Sequence, residues 1–104
     1  MTHTQRLESI TQELYNFSQD YKNQNEIGLG SEFEDTAKAI KQLIKVYNYG
    51  YDGYELDVIN KHVTQKLNSL QRVLKTKSTN ENDVNSHYIL GSLNQYNTII
   101  KKVN

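Results

Sequence analysis

The sequence predicts an all-α fold, a single-domain antiparallel up-down four-helix bundle spanning residues 1–104. Three observations carry this. Apolar residues recur at spacings of three and four in four separate stretches. Glycines and polar clusters interrupt the chain between those stretches. No proline stands among the 104 residues to break a helix.

The spacing places helices near 4–23, 31–49, 53–76 and 81–103. In the first, Leu7, Ile10, Leu14, Phe17 and Tyr21 share one face. In the second, Phe33, Ala37, Ile40, Ile44 and Tyr47 do so, widened by Leu43 and Val46. The third carries Leu56, Ile59, Val63, Leu67, Leu70 and Leu74. The fourth carries Ile89, Leu93, Tyr96, Ile100 and Val103, flanked by Leu90 and Ile99. Each remainder is rich in Asn, Gln, Lys and Thr, so each stripe must be buried against another helix. Short connections between long helices make neighbours antiparallel.

The breaks agree with this division. Residues 23–30 hold Gly28 and Gly30 and read as a hinge, followed by Ser31 and Glu34 in capping-box spacing. Gly50 is placed to end the second helix in a left-handed conformation, and Asp52 with Glu55 repeats the box at the third. Residues 76–83 read as a polar loop, with Ser78/Glu81 or Asn80/Asp83 as caps for the fourth helix. Glu34 with Lys38 and Asp57 with Lys61 stand at i, i+4 with the acid first. Gly91, inside the fourth helix, either permits a close helix crossing or is a tolerated interruption costing roughly 1 kcal/mol against Ala.

Composition narrows the function. There is no cysteine, so no disulfide, thiolate nucleophile or cysteine metal site, which fits a reducing cytoplasm. Met1 to Glu8 lack the apolar segment of a signal peptide, and no apolar run reaches the roughly 18 residues that span a bilayer. Net charge is zero but uneven. Residues 1–57 hold five basic and ten acidic side chains, and residues 58–104 hold seven and two. Either the two halves of the bundle attract each other, or a basic C-terminal half faces an anionic partner or membrane surface.

No constellation predicts catalysis, a metal or a cofactor. His3 stands at a terminus and is expected to be mobile, and His62 lies among polar residues. His87 four residues after Asp83 is half a metal site at best. Ser86 and His87 are adjacent, so on a helix they point about 100° apart and cannot act as nucleophile and base. Gly28-Leu29-Gly30 lacks the strand and lysine of a phosphate loop, and Glu32, Glu34 and Asp35 would repel phosphate. Lys61, Lys66, Arg72, Lys75 and Lys77 string cations along the third helix. A neutral domain of long helices does not predict nucleic-acid binding. The chain is therefore expected to be a non-enzymatic binding protein.

The most unusual stretch is residues 47–54, with Tyr47, Tyr49, Tyr51 and Tyr54 around one turn. Tyr47 continues the apolar stripe and is expected in the core. The other three cannot all be buried. They either staple the helix ends or form a binding surface, where tyrosine gives large contact area at small entropy cost.

Residues 7–16, the amphipathic stretch 54–67, the polar loop 76–83 and the closing Leu93/Tyr96/Ile100 helix together resemble the enterocin A-type immunity proteins of class IIa bacteriocin producers. The resemblance spans most of the chain and lies in helical patterning. It implies a cytoplasmic four-helix bundle, peripheral at the inner face of the membrane. Such a bundle protects its host from a pore-forming peptide by acting at the sugar-transporter complex that serves as receptor, without nucleic acid or membrane insertion. It places specificity in the C-terminal helix hairpin, which nominates Lys66, Arg72, Lys75 and Lys77, with Tyr49, Tyr51 and Tyr54 as a second surface. The other function expected for such a chain is a small helical adaptor or inhibitor of phage or mobile-element type, binding a cytosolic protein.

Overall fold

The computed structural model describes residues 2–50, 52–80 and 84–101. They form α1 (His3–Asn23), α2 (Ile27–Tyr49), α3 (Gly53–Asn80) and α4 (Val84–Lys101), with no strand among the described residues. This is the four-helix, all-α architecture expected.

The direction of each helix is visible in the side chains that bridge it to the next. Thr4 donates to Asn48 and Lys22 pairs with Glu34, so α1 and α2 run antiparallel. Lys77 pairs with Glu26 between the end of α3 and the start of α2. Asn97 meets Asn68 and Gln71 meets Asn94, which sets α4 against α3. Tyr21 beside Ser86 and Tyr96 on Glu13 join α4 back to α1.

The predicted stripes form one core. Leu7, Leu14, Phe33, Ile40, Leu43, Val63, Leu67, Leu74, Leu93 and Ile100 are fully buried. Tyr21 stacks on Phe33 at 5.4 Å, with Phe17 edge-on to the same ring at 5.9 Å. Burying each such side chain contributes about 1.5–3 kcal/mol, set against the entropy of ordering the chain. Val103 lies outside the described residues.

Tyr47 departs from expectation. It is 43% exposed, and its ring lies 5.5 Å from that of His3, which is itself helical. The buried face of α2 ends on Leu43 and Val46 instead.

The first connection also differs. α2 begins at Ile27, four residues before the expected Ser31 cap, and Gly28 and Gly30 are helical. The reversal is made by Asn25, at φ +70°. Asn25 N–H donates to the Lys22 carbonyl at 3.1 Å and Glu26 N–H to the Tyr21 carbonyl at 2.9 Å. This is a Schellman arrangement, with Asn in the left-handed position that glycine usually fills. Glu26 is the N-cap residue of α2 and makes no side-chain capping bond.

Gly30 has a different task. A Cβ at that position would lie 2.8 Å from the Ser18 carbonyl oxygen and 2.6 Å from Lys22 Cγ. The close helix crossing therefore sits at Gly30, whereas a Cβ on Gly91 would meet nothing within 4 Å.

The remaining joints follow the sequence more closely. Gly50, at φ +70°, ends α2 with its N–H on the Val46 carbonyl. Asp52 Oδ1 accepts from the Glu55 N–H at 2.9 Å and starts α3. α3 runs on to Asn80, past the expected end at 76. Thr76 and Ser78 donate to the carbonyls of Arg72 and Lys75, so these hydroxyls are satisfied within the helix rather than capping the next one. The other proposed cap residues, Glu81 and Asp83, lie outside the described residues, as does the Asp83 half of the His87 pair.

Candidate functional site

The structure divides the nominated cations between two faces of α3. Lys77 turns inward. Its side chain is 14% exposed and its ammonium lies 2.7 Å from Glu26 Oε1. It belongs to the joint between α2 and α3, and links the acidic half of the chain to the basic half. Lys66 is half-buried and also faces α2, lining a groove with Asp35, Glu32 and His62. Arg72 and Lys75 are exposed and face α4. Helical phase explains the division. Residues 66 and 77 stand about three turns apart and return to one side of the helix, while 72 and 75 fall on the other.

Arg72 and Lys75 border a groove of about 560 Å³ between α3 and α4, with Asn68, Gln71, Leu90 and Asn94. Side-chain amides bridge this seam. Gln71 Nε2 donates to Asn94 Oδ1 at 2.5 Å, and Asn97 Nδ2 donates to Asn68 Oδ1 at 3.0 Å. Further along, the buried Asn60 donates to the Ile100 carbonyl at 3.0 Å and holds the last turn of α4. Arg72 donates to Ser69 Oγ at 3.3 Å. None of the described residues from Val58 to Asn80 or from Val84 to Lys101 is Asp or Glu. The amide ladder is not among the features expected from the sequence. Its signal is Asn68, Gln71, Asn94 and Asn97 at helical spacing on two consecutive helices.

The tyrosine turn is an exposed surface. Tyr49 and Tyr54 are 74% and 79% exposed, and Tyr51 lies outside the described residues. Tyr54 borders a second groove, of about 420 Å³, with Val46, Val58, Ile59, Gln42 and Lys45. Val58, exposed and one turn after Tyr54, extends the apolar area.

The Tyr96 and Glu34 side chains are displaced from their usual range. Burial beside α1, and then the hydrogen bond to Glu13, push the Tyr96 phenol well up. The hydrogen bonds from Lys22 and then Lys38 hold the Glu34 carboxyl down. Both groups serve contacts between or along helices. Ser86 is buried, with Oγ 3.2 Å from the Tyr21 hydroxyl, and so faces the core rather than solvent. Among the described residues no three His, Asp or Glu side chains gather as metal ligands, and no helix is long and apolar enough to cross a membrane.

No protein-family model, curated protein or solved structure matches the chain.

Proposed function

We propose that this chain is a non-enzymatic binding protein of the bacteriocin-immunity kind. In this reading it works in the cytoplasm at the inner face of the membrane. There it engages the transporter complex that a pore-forming peptide uses as receptor. The observation that supports it is the contrast between its two hairpins. The α1–α2 hairpin carries most of the acids and the tight crossing at Gly30, while the described part of α3 after Asp57 and α4 present cations and amides without a carboxylate. That leaves the C-terminal hairpin as the recognition surface and the N-terminal one as its support. Producing the protein in a bacteriocin-sensitive cell is expected to raise tolerance to at least one pediocin-like peptide. Exchanging residues 53–104 with those of another immunity protein is expected to change which peptide is resisted. No protection against a panel of such peptides would sink this reading.

The groove beside Tyr54 favours a second reading, a helical adaptor or inhibitor that docks a cytosolic protein by its apolar surface. A single stoichiometric partner unrelated to sugar transport, lost on Val58→Asp, would support it.

A further inference from the structure

We propose that the seam between α3 and α4 binds an extended, acidic segment of a partner protein, its backbone on the side-chain amides of Asn68, Gln71 and Asn94 and its carboxylates on Arg72 and Lys75. This deepens the proposed function by naming the chemistry that the C-terminal hairpin recognises, and it rests on the reading of that hairpin as the binding surface.

The amides supply the first part of the argument. A carboxamide has two N–H donors and an oxygen with two acceptor sites. The Gln71–Asn94 bond uses one donor and one acceptor site, and the Asn97–Asn68 bond does the same one turn away. Donors on Asn68 and Asn94 and an acceptor on Gln71 are left at the groove. Asn68 and Asn94 are exposed. Donors and acceptors side by side match the alternating N–H and C=O groups of an extended chain. A bound helix would have spent those groups internally.

The cations supply the second part. Arg72 and Lys75 are one turn apart, about 4.5 Å of rise. Carboxylates on alternate residues of an extended chain are about 6.6 Å apart, within reach of two long flexible side chains. Arg72 has one weak bond, to Ser69 Oγ at 3.3 Å, which leaves most of its N–H groups available. Among the described residues no carboxylate lines the groove to compete, and half-buried Leu90 offers an apolar seat beside the amides and the charges.

Other polyanions fit less well. Two cations are fewer than the cluster of about four to eight that recruits a protein to an anionic membrane. Nucleic acid binding draws on aromatic stacking beside the cations. Tyr54 is 18 residues before Arg72, about 27 Å along the helix. Tyr88 is two residues from Leu90 and so points away from the groove.

The test is selection from random dodecapeptides displayed on phage, against the full chain, with the Arg72→Glu/Lys75→Glu double variant as counter-target. Enriched peptides are expected to carry Asp or Glu at alternate positions around an apolar residue. Their affinity should fall about tenfold or more on the double variant. Asn94→Asp keeps the acceptor for Gln71 and adds a charge, so it should weaken the same peptides while leaving the fold intact by circular dichroism. In NMR spectra, the side-chain amide signals of Asn68, Gln71 and Asn94 should move on adding peptide, while those of Asn16 and Asn23 stay. A neutral or basic consensus, no enrichment, equal binding to the double variant, or tighter binding of a 20-mer of deoxythymidine or of phosphatidylserine vesicles overturns the inference. Protection that survives in the double variant overturns it while leaving the immunity reading standing. Peptide binding without any protection does the reverse.

Discussion

Ser18 Oγ donates to the Gly30 carbonyl across 2.6 Å, at a point where the α1 and α2 backbones leave no room for a side chain. A methyl group on Gly30 would push against the Ser18 carbonyl, which cannot swing away as a side chain could. Gly30→Ala is expected to destabilise the protein by about 1–3 kcal/mol. Gly91→Ala enters open space in a helix interior and is expected to stabilise it by roughly 0.5–1 kcal/mol. Urea denaturation followed by circular dichroism separates the two signs.

Lys77 is a structural cation. Lys77→Ala removes a charge-assisted bond to Glu26 and leaves that carboxylate half-buried, so stability should fall by about 1.5–3 kcal/mol. Its effect on peptide binding should be small beside that of Arg72→Glu/Lys75→Glu. The opposite ranking would return Lys77 to the recognition surface.

The phenol of Tyr96 gives the bundle an alkaline limit. Its proton is held more tightly in the folded chain than in the unfolded one. The folded state therefore binds more protons above the ordinary phenol range, about pH 10, and its stability falls as pH rises beyond it. Below that range the contribution is fully present. Tyr96→Phe should flatten the decline above about pH 10, measured as the difference in unfolding free energy between the two proteins.

Tyr49 and Tyr54 lie open to solvent, and truncating either to Ala is expected to change stability by no more than about 0.5 kcal/mol. Tyr21→Phe, which loses the hydroxyl beside Ser86, should cost about 0.5–1.5 kcal/mol. Thermal melts of the three variants test this contrast between surface and core tyrosines.

The helical stripes were legible because burial repeats with the helix, and apart from Tyr47 the described stripe residues from Leu7 to Ile100 fall where their spacing puts them. The α1–α2 joint was not. Glycine is the usual left-handed residue, so Gly28 and Gly30 drew the hinge toward themselves, while Asn25 made the turn. Gly30 was needed for what stands opposite it, and a single chain read in order does not show that. The cations show the same limit of a chain read in order. The family resemblance nominates Lys66, Arg72, Lys75 and Lys77 as one set. Helical phase and the partners on α2 and α4 divide them.

The order of the helices has a consequence for speed. Each one packs on its neighbour in the chain, and among the described residues the contacts between α1 and α4 span the longest stretches of sequence. Chains built from such local contacts cross their barrier in microseconds to milliseconds. With no proline present, the isomerisation of X–Pro bonds that delays many proteins by tens of seconds has nothing to act on. Stopped-flow refolding should therefore show one rapid exponential, and newly made protein should reach its folded state almost as soon as it leaves the ribosome.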